Sequence, residues 1–250
     1  MRRSIASSGS IVFRSLCLWI ARAKCAERVS PSCSPKRRRA LTESATEDAR
    51  VERWSSMVAY VIVPGIGGSG EQHWQTHWER RWGRDARRVE PRSWDEPDLD
   101  DWVDAVDRCV TDLARQTDRV IVVAHSLGCW AATEWDARTG DQRQPERVEQ
   151  VERAPVTGML LVAPPDPTGD AFPRAAAPSF VGLAVRPLAC PTTVVASSDD
   201  PYCSVEVAQG LASGWGSTLR NAGALGHLNA ASGLGEWAWG RAVLGDLVRA

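Results

Sequence analysis

The segment Ile121-Val122-Val123-Ala124-His125-Ser126-Leu127-Gly128-Cys129 joins a β-branched run to a serine with small residues, Ala124 and Gly128, two positions away on either side. A strand that turns sharply into a helix at a serine lifts the hydroxyl above the edge of a sheet, and the strained turn admits only small neighbours. The plainer alternative is a serine that caps a helix N-terminus. The strand before it and the helix after it favour Ser126 as a nucleophile. A serine hydroxyl attacks poorly until a base takes its proton, and a histidine held by a carboxylate does this in the chain order Ser, acid, His. Asp199 and Asp200 follow in S-S-D-D-P-Y (197–202), and His227 follows in A-L-G-H-L-N (224–229).

The chain has four histidines, so the base is closely constrained. His125 adjoins Ser126 on the turn, where neighbouring side chains diverge, and His73 and His77 lie far upstream on a predicted helix. His227 is left as the base. The residues by themselves leave Asp199 and Asp200 both open as its partner. Acyl transfer also needs backbone N–H donors aimed at the developing oxyanion. One is expected from Leu127, the residue after the nucleophile, and the second from the loop Pro64-Gly65-Ile66-Gly67-Gly68-Ser69-Gly70, with Ile66 the expected donor. That loop has neither the G-K-[ST] ending of a P-loop nor the G-x-G-x-x-G spacing of a dinucleotide turn. His73 and His77 stand four apart, but Trp74 occupies the place of the glutamate in H-E-x-x-H, so a zinc protease is not expected. No cofactor and no metal is required.

These residues need a sheet to hold them. Short apolar runs at Ala59 to Val63, Val120 to Ala124, Met159 to Ala163, Thr192 to Ser197 and Ser217 to Asn221 alternate with amphipathic stretches. That pattern predicts an α/β fold: a mostly parallel sheet of five to six strands with helices on both faces. Helices are expected at Gln72 to Trp82, Leu99 to Gln116, Leu127 to Ala137, Ser204 to Ala212 and Leu234 to Val248. Trp74, Trp78 and Trp82 share one helical face and are read as core. Residues 164–190 are too rich in proline for long elements and are expected to form a loop beside the site. No large lid is expected, which leaves the site open.

Composition sets the limits of function. Hydrophobic residues make up 43% and charged residues 24% of the 250, as in soluble globular chains. Residues 1–56 hold 12 Lys+Arg against 5 Asp+Glu, whereas residues 57–250 hold 18 against 26. The basic first segment lacks helical or strand periodicity and is read as disordered, either an appendage or the product of a wrongly chosen start codon ahead of Met57. The acidic remainder, a single domain over 57–250, is a poor partner for phosphate backbones, so nucleic-acid binding is not expected, nor is a membrane role. Seven cysteines without paired spacing fit reduced thiols and a cytoplasmic setting.

Taken as a set, V-I-V-P-G-I-G-G-S-G (61–70), H-W-Q-T-H-W-E (73–79), S-W-D-E-P-D-L-D-D-W (93–102), H-S-L-G-C (125–129), S-S-D-D-P-Y and G-H-L-N resemble the small serine hydrolases of the YdeN and retinoblastoma-binding-protein type, within the α/β-hydrolase superfamily. The resemblance covers nearly all of residues 57–250. It implies a cofactor-independent hydrolase, an α/β-hydrolase fold, and a triad of Ser126, Asp200 and His227, with Asp200 preferred because it precedes Pro201. The expected activity is hydrolysis of a small acyl ester through an acyl-enzyme. The alternative is a protein-binding module on the same scaffold, for which Trp215, Trp237 and Trp239 would supply an exposed surface.

Overall fold

Six strands, the central ones dominated by Val, Ile, Leu and Thr, pair into one sheet in which every neighbouring pair is parallel. They are β1 (Val58–Val63), β2 (Ala86–Arg88), β3 (Arg119–His125), β4 (Val156–Val162), β5 (Thr192–Ala196) and β6 (Thr218–Asn221), in the order β2-β1-β3-β4-β5-β6. The computed structural model describes residues 58–117, 119–141 and 156–249. The expected disorder of residues 1–56, and the three cysteines among them, lie outside the described residues.

Parallel strands need crossover connections, and the helices that provide them cover both faces. Among the described residues the helices are α1 (Trp74–Trp82), α2 (Leu99–Ala114), α3 (Leu127–Asp141), α4 (Val205–Trp215) and α5 (Ala238–Arg249). Strand side chains alternate in direction, which splits the core in two. Val61, Val122, Leu161 and Val194 pack with Trp102 and Val106 of α2, Trp130 of α3 and Leu211 of α4. Ile62, Ile121, Val123 and Leu160 pack on the other face with Trp74 and Trp78 of α1 and Leu244 and Leu247 of α5. The central strands are therefore apolar on both sides and read as unbroken Val/Ile/Leu runs.

The expected strands and helices all form, within a few residues of their predicted limits. β2 was not foreseen. Its sequence Ala-Arg-Arg carries no apolar signal because it is a three-residue edge strand that pairs only with β1. The stretch from Ala163 to Pro191 between β4 and β5 has a 3-10 turn at Pro178–Phe180 and is otherwise irregular, as its prolines predict.

Register determines what meets at the carboxyl edge. Val63 pairs with Ala124 and His125 with Val162, so the chain leaves β1, β3 and β4 at one level. The glycine loop, Ser126 and the start of the proline-rich loop are thereby brought side by side. This edge is the usual position of ligand sites in open parallel sheets.

Candidate active site

Ser126 takes φ 53°, a left-handed conformation that a non-glycine residue adopts at a cost of roughly 1–2 kcal/mol. Two close approaches hold it there. A Cβ at position 128 would lie 2.3 Å from the Pro64 carbonyl oxygen and 2.6 Å from that of Val63, so only glycine lets α3 start against the end of β1. A Cβ at position 65 would lie 2.8 Å from the Ser126 Cβ, so Gly65 lets the loop after β1 pass the serine. The Ser126 N–H donates to the Val162 carbonyl at 2.9 Å, which ties the turn to the end of β4. Ala124 lies in the core with no exposure, so its methyl group is accommodated beside the turn.

His227 and Asp200 arrive from the far side of the sheet, on the loops after β6 and β5. His227 Nε2 lies 2.8 Å from Ser126 Oγ, and His227 Nδ1 lies 3.0 and 2.9 Å from the two oxygens of Asp200. The Asp200 side chain is 2% exposed and that of His227 10%, so the contact is largely shielded from water. Asp200 Oδ1 also accepts the Tyr202 N–H at 2.9 Å. Asp199, the alternative acid, points elsewhere. Its Oδ1 accepts from Ser197 Oγ at 2.8 Å and from the Gly226 N–H at 2.7 Å, and these bonds, the Ser197 hydroxyl first, hold its carboxyl below the usual carboxylate range. Asp199 braces the histidine loop, whereas Asp200 meets the ring.

Ile66 and Leu127 line the cavity above Ser126, and neither backbone N–H donates to any group among the described residues. The cavity has a volume of about 450 Å³ and is also lined by Tyr202 and Pro165. Pro165 lies in the proline-rich loop that the sequence places beside the site. No Lys, Arg, Asp or Glu side chain among the described residues lines it. Among the described residues, no group of His, Cys, Asp and Glu is arranged to hold a metal ion, and no helix is long and apolar enough to cross a membrane.

The H-W-Q triplet (73–75) opens a helix and Trp74 lies in the core as expected, yet each of the three residues also braces the site. His73 caps α1, its Nδ1 accepting the Gln75 N–H at 3.2 Å. The Trp74 indole donates to the Leu228 carbonyl at 2.8 Å, beside His227. Gln75 donates to the carbonyls of Val63 and Val123 at 3.2 and 3.0 Å and accepts from Ser69 Oγ at 2.7 Å, so it closes the ends of β1 and β3 and ties down the glycine loop. Arg88 of β2 adds bonds to the carbonyls of Gly68 and Ser69 and an ion pair with Glu79 at 2.6 Å. A buried glutamine beside two strand ends leaves no periodic signature, so sequence patterning did not flag it.

The thiols of Cys109, Cys129 and Cys203 are buried, and burial pushes all three up, Cys109 and Cys203 to about 12. They are poor nucleophiles at neutral pH. Trp215 and Trp237, offered above as a binding surface, are 1% and 6% exposed and belong to the two cores, because Trp215 packs on Trp130 and Trp237 on Trp74 and Trp78. Trp239 is exposed.

The sequence model of the family described as serine hydrolase matches residues 60–246. The chain belongs to this family. Among solved structures, the hydrolase resembles a YdeN-like hydrolase of Pectobacterium atrosepticum at 33% identity and a TM-score of 0.62, with 81% of this chain and 96% of that one covered. The ydeN gene product of Bacillus subtilis aligns at 22% identity and a TM-score of 0.53, over 78% of this chain and 100% of its own. Esterase 2 of Thermogutta terrifontis aligns at 16% identity and a TM-score of 0.55, over 78% of this chain and 84% of its own, which marks a shared fold. No match was found among curated protein sequences. The hydrolase therefore has the α/β-hydrolase fold, and its six parallel strands agree with the sheet expected from the sequence.

Proposed function

We propose that the hydrolase cleaves small, uncharged acyl esters through an acyl-enzyme on Ser126, with His227 as general base and Asp200 as the carboxylate that orients it. The single observation that carries this reading is the run of contacts from Ser126 Oγ to His227 Nε2 at 2.8 Å and from His227 Nδ1 to Asp200 at 2.9 Å. As Oγ bonds to the acyl carbon, its proton passes to Nε2, and Asp200 stabilises the imidazolium that forms. The tetrahedral oxyanion is received by the N–H groups of Leu127 and Ile66. Collapse breaks the bond to the leaving alcohol, which takes the proton back from Nε2. Water then attacks the acyl carbon and gives its proton to the same nitrogen, and as the bond to Oγ breaks Nε2 returns that proton to Oγ, which restores the free serine and the neutral histidine.

The substrate class rests on the lining. A cavity of about 450 Å³ lined by no Lys, Arg, Asp or Glu side chain among the described residues offers a carboxylate or ammonium group no permanently charged partner, and burying such a charge unpaired is costly. One protein of similar fold is an esterase, in keeping with this reading. A fluorophosphonate probe should label Ser126, and p-nitrophenyl ester turnover should vanish in Ser126→Ala. An unlabelled, folded protein, or full turnover in that variant, would remove Ser126 from the role. The reading as a binding module has lost its surface, because two of its three tryptophans are core residues.

A further inference from the structure

His125 adjoins the nucleophile and is not the expected base, yet its ring ends on the base. Its Nε2 lies 3.0 Å from the carbonyl oxygen of His227, and the residue is 4% exposed. A carbonyl only accepts, so Nε2 carries the proton and, in the neutral ring, Nδ1 does not. Burial, reinforced by the nearby His73 and His227, keeps the ring uncharged by holding its pKa well below the ordinary value. His73 packs edge-on against it, with ring centroids 4.7 Å apart, so the imidazole has little freedom to swing.

The peptide units around His227 are held one by one. Asp199 takes the Gly226 N–H, the Trp74 indole takes the Leu228 carbonyl, and His125 takes the carbonyl of His227 itself. Gly226 and Leu228, on either side, have φ of 58° and 49°, so the loop is bent through left-handed conformations that need outside support at Leu228. Consecutive residues therefore grip the two ends of one histidine: His125 its backbone and Ser126 its ring.

We propose that His125 is a positioning residue for His227, setting the distance between the nucleophile and its base through the bond to the His227 carbonyl. The inference rests on the reading of Ser126 and His227 given above. It differs from bracing by remote packing because the restraint starts one residue from the hydroxyl, so any shift of the turn carries Ser126 and the His227 backbone together. Without the donor, the loop would be free to relax and the ring to leave the line from Asp200 to Oγ.

The test compares His125→Phe, which keeps a flat ring in the packing but has no donor, with His125→Gln, whose amide N–H can reach a similar point. A misplacement of about 1 Å can cost about a hundredfold in rate. The expected result for His125→Phe is a fall of roughly 10- to 100-fold in kcat, an equal fall in the rate of fluorophosphonate labelling at Ser126, and little change in KM. His125→Gln should recover most of both rates. Unchanged kcat in a folded His125→Phe, or a His125→Gln as slow as His125→Phe, overturns the assignment. The wild-type protein offers a check that needs no variant: nitrogen-15 NMR should find His125 as the neutral tautomer protonated at Nε2, and protonation at Nδ1 alone would overturn it. Turnover that survives in Ser126→Ala would instead remove the underlying hydrolase reading, so the two failures are distinguishable.

Discussion

His73 makes a prediction about acid stability that can be worked from its surroundings. The ring is 3% exposed, its Nδ1 accepts the Gln75 N–H, and its Nε2 is buried without a partner among the described residues. Burial first, then the positive neighbours Arg88 and His227, lowers its pKa from 6.5 to about 4. The unfolded chain therefore binds a proton below about pH 6.5 that the folded chain refuses until about pH 4, so stability is full above this window and is lost as the pH falls through it. Linkage for this one group gives a loss of about 1 kcal/mol between pH ~7.5 and ~5.5, and about 2.5 kcal/mol by pH ~4.5. His125 adds to the loss in the same direction, since its pKa is also lowered by burial. Asp199, held below the carboxylate range, loses its contribution only at lower pH and leaves the upper part of the window clear. Urea unfolding followed by tryptophan fluorescence at several pH values measures the slope. His73→Asn keeps a capping oxygen for α1 but cannot titrate, and should flatten the slope by about 1 kcal/mol over that interval. A wild-type stability flat from pH ~7.5 to ~5.5, or an identical slope in His73→Asn, would refute this account of the buried ring.

Three substitutions probe the rest of the site. Ser126→Gly should unfold with about 1 kcal/mol more difficulty than Ser126→Ala, because glycine accepts φ 53° without the cost that alanine retains, and equal urea midpoints would count against strain at the turn. Gly128→Ala should destabilise by about 3 kcal/mol or fail to fold, since its methyl group would meet two carbonyl oxygens of backbone, and a near-neutral melting temperature would contradict that packing. Asp200→Asn should lower kcat by about 10⁴ by favouring the wrong tautomer of His227. Asp199→Asn, which touches only the loop, should cost no more than about tenfold in kcat, and a reversal of this order would exchange the two roles.

The fold was legible in the sequence because its strands are buried on both faces, so burial is recorded in the composition of each run without reference to the partner strand. Only β2 escaped, since Ala86–Arg88 lies at an edge where Arg87 and Arg88 meet half-exposed and polar surroundings and no apolar residue is called for. The turn at Ser126 and the glycine loop were also legible, because a strained turn and a close backbone approach each demand particular small residues at fixed offsets, and His227 was legible because the chain offers few histidines. What the chain alone could not decide was pairing through space. Asp199 and Asp200 are adjacent and chemically identical, and only the paths of two loops over the carboxyl edge send one to the ring of His227 and the other to a backbone N–H. The same holds for His73, Gln75 and His125. A hydrogen bond to a backbone carbonyl asks for no partner side chain, so nothing in the order of residues records it until the sheet brings the distant strand end within 3 Å or so of the donor.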